Sequence, residues 1–83
     1  MRITYDLPKR EANLLKHGMD FADLEDGAFF LNAVVLPAKN GRYMAIGRLA
    51  EEMISVVFAP LGEEGLSIIS MRPASRKERD LLR

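Results

Sequence analysis

The side chains whose types and spacing suit chemistry in this 83-residue chain are basic: Arg42, Arg48, Arg72, Arg76, Lys77, Arg79 and Arg83. The chain holds 12 Lys and Arg against 12 Asp and Glu, so its net charge is zero, yet five of its last twelve residues are basic. They follow directly on an apolar run, LSIISM. The signs alternate in blocks, +2 over residues 1–17, −4 over 18–38, +3 over 39–50, −4 over 51–65 and +3 over 66–83. A fold that gathers the basic blocks on one face gives a neutral protein a phosphate-binding surface. Guanidinium groups suit that task because they stay charged and present a planar fork of donors. Several of them close together repel one another unless something anionic lies between. RNA phosphate is one such anion, and acidic residues of this chain or a partner are another. Charges spread over a solvated surface would leave the arginines with no task at all.

Other chemistry has less support. The absence of cysteine excludes disulfides, thiolate metal sites and a cysteine nucleophile, and it suits a reducing compartment. His17, the single histidine, stands just before Gly18, where it completes a helix end and meets the negative end of the helix dipole. Asp20, Asp23, Glu25 and Asp26 are dense, but no second ligand group answers them, so no metal is expected. Glu51-Glu52 and Glu63-Glu64 fall in turns, where solvated acid pairs are usual. No Ser-His-Asp arrangement and no glycine-rich phosphate loop is recognisable. No cofactor is implied.

The elements that must position the arginines follow from local signals. A short strand over 2–5 sets Ile3 and Tyr5 on one side. Asp6 and Pro8 open a helix, Ala12, Leu15 and Leu14 supply its apolar face, and Gly18 ends it. Asp20 caps a second helix that turns Phe21, Leu24 and Ala28 inward, and from Phe29 the chain reads as strand. Strands are expected over 33–36, 42–49, 53–59 and 66–72, with a hairpin turn at Asn40-Gly41. The strands 53–59 and 66–71 are apolar at nearly every position, which suits the middle of a sheet covered on both faces. Ser75 and Glu78 have the spacing of a capping box and open a short final helix. On it Arg76, Arg79 and Arg83 form a stripe. The fold class is α+β in two layers: two N-terminal helices, an antiparallel sheet of about four strands and a short C-terminal helix.

Spacing also groups the arginines. Arg42 and Arg48 lie six residues apart on one strand and so share a sheet face. In an up-down-up meander the ends of strands 42–49 and 66–72 meet at one edge, two strands or roughly 10 Å apart. Arg48, Arg72 and Arg76 would then be neighbours, with Arg42 at the opposite edge. Residues 1–83 make a single domain. No signal peptide and no bilayer-spanning run is visible, so a cytoplasmic location without membrane contact is expected.

Three stretches carry a family resemblance. YDLPKREANLLKHGMDFADL (residues 5–24) places Asp6, Lys9, Asn13, Lys16, His17, Gly18 and Phe21 in a pattern that resembles the N-terminal signature of the BrnT family of bacterial toxins. RYMAIG (42–47) resembles that family's middle strand. IISMRPASRKE (68–78) resembles its closing motif, with Arg72, Ala74 and Glu78 in register. Tyr5 stands where the family often has Trp, Gly41 where an acidic residue is common, and Ala59-Pro60-Leu61 where polar and basic positions are usual. The tyrosine that often closes the final helix is missing from DLLR.

The resemblance implies a RelE-like ribonuclease toxin of a type II toxin–antitoxin system. Its implied partner is a ribbon-helix-helix antitoxin similar to BrnA, through which alone the complex would meet promoter DNA. The expected reaction is RNA cleavage without metal, by attack of the ribose 2′-OH on the adjacent phosphorus. Arg72 and Arg76, then Arg42 and Arg48, would stabilise the phosphate charge of the transition state. Lys77, Arg79 and Arg83 would hold the RNA backbone. The competing expectation is a catalytically inactive, toxin-like binding module acting with its antitoxin in promoter repression.

Overall fold

The computed structural model describes residues 1–82. Strands β1 (Arg2–Tyr5), β2 (Val34–Pro37), β3 (Tyr43–Leu49), β4 (Glu52–Leu61) and β5 (Gly65–Pro73) form one sheet in the order β1-β5-β4-β3-β2. The meander β2 to β5 is antiparallel, as the spacing of the turns predicts. At the hairpin between β2 and β3, Asn40 (φ 61°) and Gly41 (φ 74°) both adopt the left-handed conformation that an Asn-Gly turn supplies at low cost.

The expected count of about four strands needs correction. β1 adds a fifth, parallel to β5, in register from Arg2 opposite Gly65 to Tyr5 opposite Ile68. The Thr4 hydroxyl donates to Leu66 O at 3.1 Å across 62 residues of sequence. A pairing over that distance leaves no local mark in the sequence.

The first helix, α1 (Leu7–His17), stops where expected: Gly18 (φ 68°) donates its N–H to Leu14 O at 2.8 Å. Asp6 is its N-cap and Pro8 lies in its first turn, as expected, but the cap's bonding and the helix's orientation differ from expectation. The Asp6 carboxylate makes no cap hydrogen bond and instead pairs with Lys9 at 3.6 Å. The helix also turns a polar stripe inward, with Arg10, Asn13 and His17 sheltered while Leu15 is 90% exposed. The cause is the edge of the sheet. β1 covers the edge of β5 only as far as Ile68, and beyond it the strand's backbone needs a polar partner. Asn13 supplies one by accepting from Met71 N at 3.0 Å while its amide donates to Met19 O at 3.2 Å.

The second expected helix divides in two, a 3-10 turn (Phe21–Leu24) and α2 (Ala28–Leu31). Asp20 caps the first through Ala22 N (3.0 Å), and its carboxylate takes a two-pronged bond from Arg10 (2.7 and 3.0 Å). Gly27 at φ 77° breaks the helix, and Asp26 accepts from Ala28 N at 3.0 Å to start the next turn. Phe29 and Phe30 are therefore helical, not strand as their aromatic character suggests.

Phe21, Leu24 and Phe29 pack onto one face of the sheet, against Ala45, Ile54, Val56, Phe58, Ile68 and Met71. Gly47 makes the approach possible, since a Cβ there would lie 3.0 Å from the Phe29 ring and 3.2 Å from Ala33 Cβ. Ile68 and Met71 are an odd number of residues apart, yet both face this core. A bulge lets them: Val57 faces Ser70 and Phe58 faces Ile68, so Ile69 is an extra residue in β5.

The final helix, α3 (Arg76–Asp80), begins with the expected capping box. Ser75 Oγ accepts from Glu78 N at 3.2 Å, and the Glu78 carboxylate accepts from Ser75 N at 2.9 Å. No helix among the described residues is long and apolar enough to cross a membrane.

Candidate functional site

Arg42, Arg48 and Arg72 have the facing of the sheet side turned away from α1 and α2. Cross-strand partners share a face, and Ile46 on β3, Ser55 on β4 and Arg72 on β5 form one row. Arg48, two residues after Ile46, lies on the same face, opposite Met53. The register offsets Arg48 from the Arg72 row by two residues, so the two positions are separated by two strand spacings and two residue rises, roughly 12 Å. Arg76 follows four residues after Arg72 as the first residue of α3. These three are the arginines the fold brings to one end of the sheet.

Arg42, just ahead of β3, has the same facing but the opposite end, with six residue rises or roughly 20 Å to Arg48. Tyr43 turns to the other face and stacks on Phe58 with centroids 5.9 Å apart, away from Arg42. Lys77 and Arg79 are on α3, and Arg83 lies outside the described residues. Arg42, Arg48, Arg76, Lys77 and Arg79 are exposed, and none forms an ion pair with a described residue.

Arg72 differs from all of these. Its Nη1 and Nη2 donate to the two carboxylate oxygens of Glu78, each at 2.8 Å, and Nη1 also donates to Pro73 O at 3.1 Å. The bonds to Arg72 hold the Glu78 carboxyl down at about 2, against an ordinary 4.5, and the backbone N–H of Ser75 adds to this while burial opposes it. The same pair raises the pKa of Arg72, so its charge is permanent. One carboxylate thus closes the capping box and grips the last strand, which ties α3 to this face. At the same row Ser55 is 1% exposed, and its hydroxyl makes no hydrogen bond to any described residue.

Two residues that organise the site were not singled out as site residues from the sequence. Glu78 was legible as a helix cap, and its placement six residues after Arg72, across Pro73, was the further signal that the same carboxylate can reach the strand. Asn13 stands in the N-terminal stretch that carries the family resemblance, but nothing local marks its bond to β5. Among the described residues no group of three or more His, Asp or Glu is arranged to hold a metal ion.

A five-stranded sheet with α1 and α2 on one face and cationic side chains on the other defines a small protein of α+β class. Residues 5–78 match the family described as "Ribonuclease toxin, BrnT, of type II toxin-antitoxin system". The chain is also similar to a solved structure, the Brucella abortus ribonuclease toxin BrnT. The two share 53% identity over 92% of this chain and 99% of that one, with a TM-score of 0.83. No curated protein sequence gives a match. The chain belongs to the BrnT family of ribonuclease toxins.

Proposed function

We propose that this chain is a cytoplasmic endoribonuclease toxin, a single-domain protein over residues 1–83 that cleaves RNA without a metal ion. Its neutralising partner is a ribbon-helix-helix antitoxin similar to BrnA, and promoter DNA is met only through that antitoxin. The observation that supports the reading is the placement of Arg48 and Arg72 on one face at one end of the sheet, with Arg76 following at the start of α3, in a chain of this family.

In the reaction the ribose 2′-OH attacks the adjacent phosphorus and gives its proton to water, and the P–O5′ bond breaks as O5′ takes a proton from water. A 2′,3′-cyclic phosphate and a 5′-hydroxyl result. Negative charge grows on the non-bridging oxygens as the fifth bond forms. Arginines already held in place stabilise that charge without the cost of reorganising solvent. Arg72 and Arg76 serve this role first, then Arg48, with Arg42 reaching the strand further along. Lys77, Arg79 and Arg83 hold flanking phosphates, which positions RNA without reading its sequence.

One observation favours the alternative, a toxin-like module that only binds its antitoxin: Arg72 is already neutralised by Glu78. The two readings separate in a growing culture. Induced expression should arrest growth, coexpressed antitoxin should restore it, and Arg72→Ala should abolish the arrest while still binding the antitoxin. Normal growth on induction of the folded parent would favour the module.

A further inference from the structure

Among the described residues two arginine–carboxylate pairs have two-pronged geometry, and they use different edges of the guanidinium. Arg10 offers Nε and Nη2 to Asp20, at 2.7 and 3.0 Å, so its side edge is filled. Arg72 offers Nη1 and Nη2 to Glu78 and a further Nη1 proton to Pro73 O. A guanidinium has five N–H groups in a rigid fork. Three are used at Arg72, and the two that remain are the Nε proton and the second Nη2 proton. They lie parallel on one edge and meet no described acceptor. The side chain is 36% exposed, so solvent and ligands reach part of it.

Resting on the ribonuclease reading above, we propose that Glu78 is a positioning residue for RNA cleavage, fixing Arg72 so that its Nε–Nη2 edge presents two parallel donors to a phosphate of the RNA. The geometry of that edge suits two non-bridging oxygens, the arrangement in which arginine binds phosphate best. Glu78 is the more sheltered partner, with a side chain 16% exposed, and it is itself fixed by Ser75 N. The guanidinium is therefore held from behind by a carboxylate that is already oriented. Glu78 also supplies the anion that lets Arg72 sit near Arg48 and Arg76 before any RNA arrives. A rigid fork needs no reordering when charge develops on the phosphate. A loose one does, and misplacement of about 1 Å costs on the order of a hundredfold in rate.

Glu78→Gln is the informative change, because glutamine also serves at the third position of a capping box and so spares α3. It removes the charge and one of the two acceptors facing Arg72. Cleavage of a short single-stranded RNA is measured for the parent, Glu78→Gln and Arg72→Lys. Binding of the same sequence with 2′-deoxy sugars, which cannot undergo 2′-OH attack, is followed by fluorescence anisotropy. For Glu78→Gln we expect kcat to fall about ten- to a hundredfold. The KM and the affinity for the deoxy oligomer should stay the same or improve, because a negative charge has been lost. A merely structural Glu78 would lower the folded fraction and leave kcat per folded molecule unchanged, which overturns the proposal. Faster cleavage by Glu78→Gln would also overturn it, since Glu78 would then compete with the phosphate.

A second measurement stands apart from activity and from the folding of that variant. The Arg72 Nε–H resonance of the parent, assigned by its loss in Arg72→Lys, should shift when the deoxy oligomer is added. An unmoved resonance on a bound oligomer overturns the fork. A shifted resonance in a parent that cleaves no RNA would uphold the fork and reject the ribonuclease reading instead.

Discussion

Replacing Asn13 by Ala tests the least expected feature of the fold, a helix that packs on its sheet through a polar side chain. The substitution removes two hydrogen bonds, from Met71 N at 3.0 Å and to Met19 O at 3.2 Å. Met71 is 1% exposed, so its N–H loses its partner in a place sheltered from water. An unsatisfied buried donor costs about 1–3 kcal/mol, and the bond to Met19 adds about 0.5–1.5 kcal/mol. Alanine returns roughly 0.5 kcal/mol through its better helix propensity. The net loss is about 1–4 kcal/mol, a sizeable part of the roughly 5–15 kcal/mol that holds a small domain together. In a chain of this length each kcal/mol moves the melting temperature by about 4–8 °C. The assay is urea denaturation with the slope held constant, together with amide exchange. The Met71 amide should lose protection ahead of its neighbours in β4. A loss below about 0.5 kcal/mol with Met71 still protected would refute the reasoning, because the buried donor would then have another acceptor.

Further changes probe the site and its support. Gly47→Ala should destabilise by about 1–3 kcal/mol, as measured by thermal melting, because its Cβ would press on Phe29 and Ala33. Ser55→Ala should leave stability unchanged or raise it by up to about 1 kcal/mol, since the buried hydroxyl gives up no hydrogen bond with a described residue. Acid should weaken the fold in a defined window. Asp20 and Glu78 are each held at about 2, by Arg10 and by Arg72, below their ordinary 3.8 and 4.5. Their contribution is complete above the ordinary values and is lost as the pH falls toward 2. The double variant Asp20→Asn, Glu78→Gln should show a flatter decline between pH 5 and 2 in a denaturation series.

What the sequence made legible was local. The Asn40-Gly41 turn, the Gly18 helix end and the Ser75–Glu78 capping box each depend on residues within a few positions of one another, and each formed as the residue types require. The family resemblance rested on motifs spread over the chain, and the family match spans residues 5–78. Features that depend on distant contacts were hidden. The pairing of β1 with β5 is written in no neighbouring residue, and the extra Ile69 reverses the facing expected beyond it. Leu15 reads as core by periodicity, but the unpaired edge of β5 needed Asn13 more than it needed a leucine. The grouping of Arg48 and Arg72 was legible from the meander alone, which brings the ends of β3 and β5 to one edge. The partner of Arg72 was not, since Glu78 already had a task as a helix cap.

The measurement that tests the central claim most directly is incubation of the purified protein with total RNA in EDTA, beside Arg72→Lys and Arg76→Ala variants shown to be folded. Fragments ending in 2′,3′-cyclic phosphate from the parent, and far fewer from either variant, are the expected result. Intact RNA in every tube, or equal cleavage by all three proteins, would contradict metal-independent cleavage by these arginines.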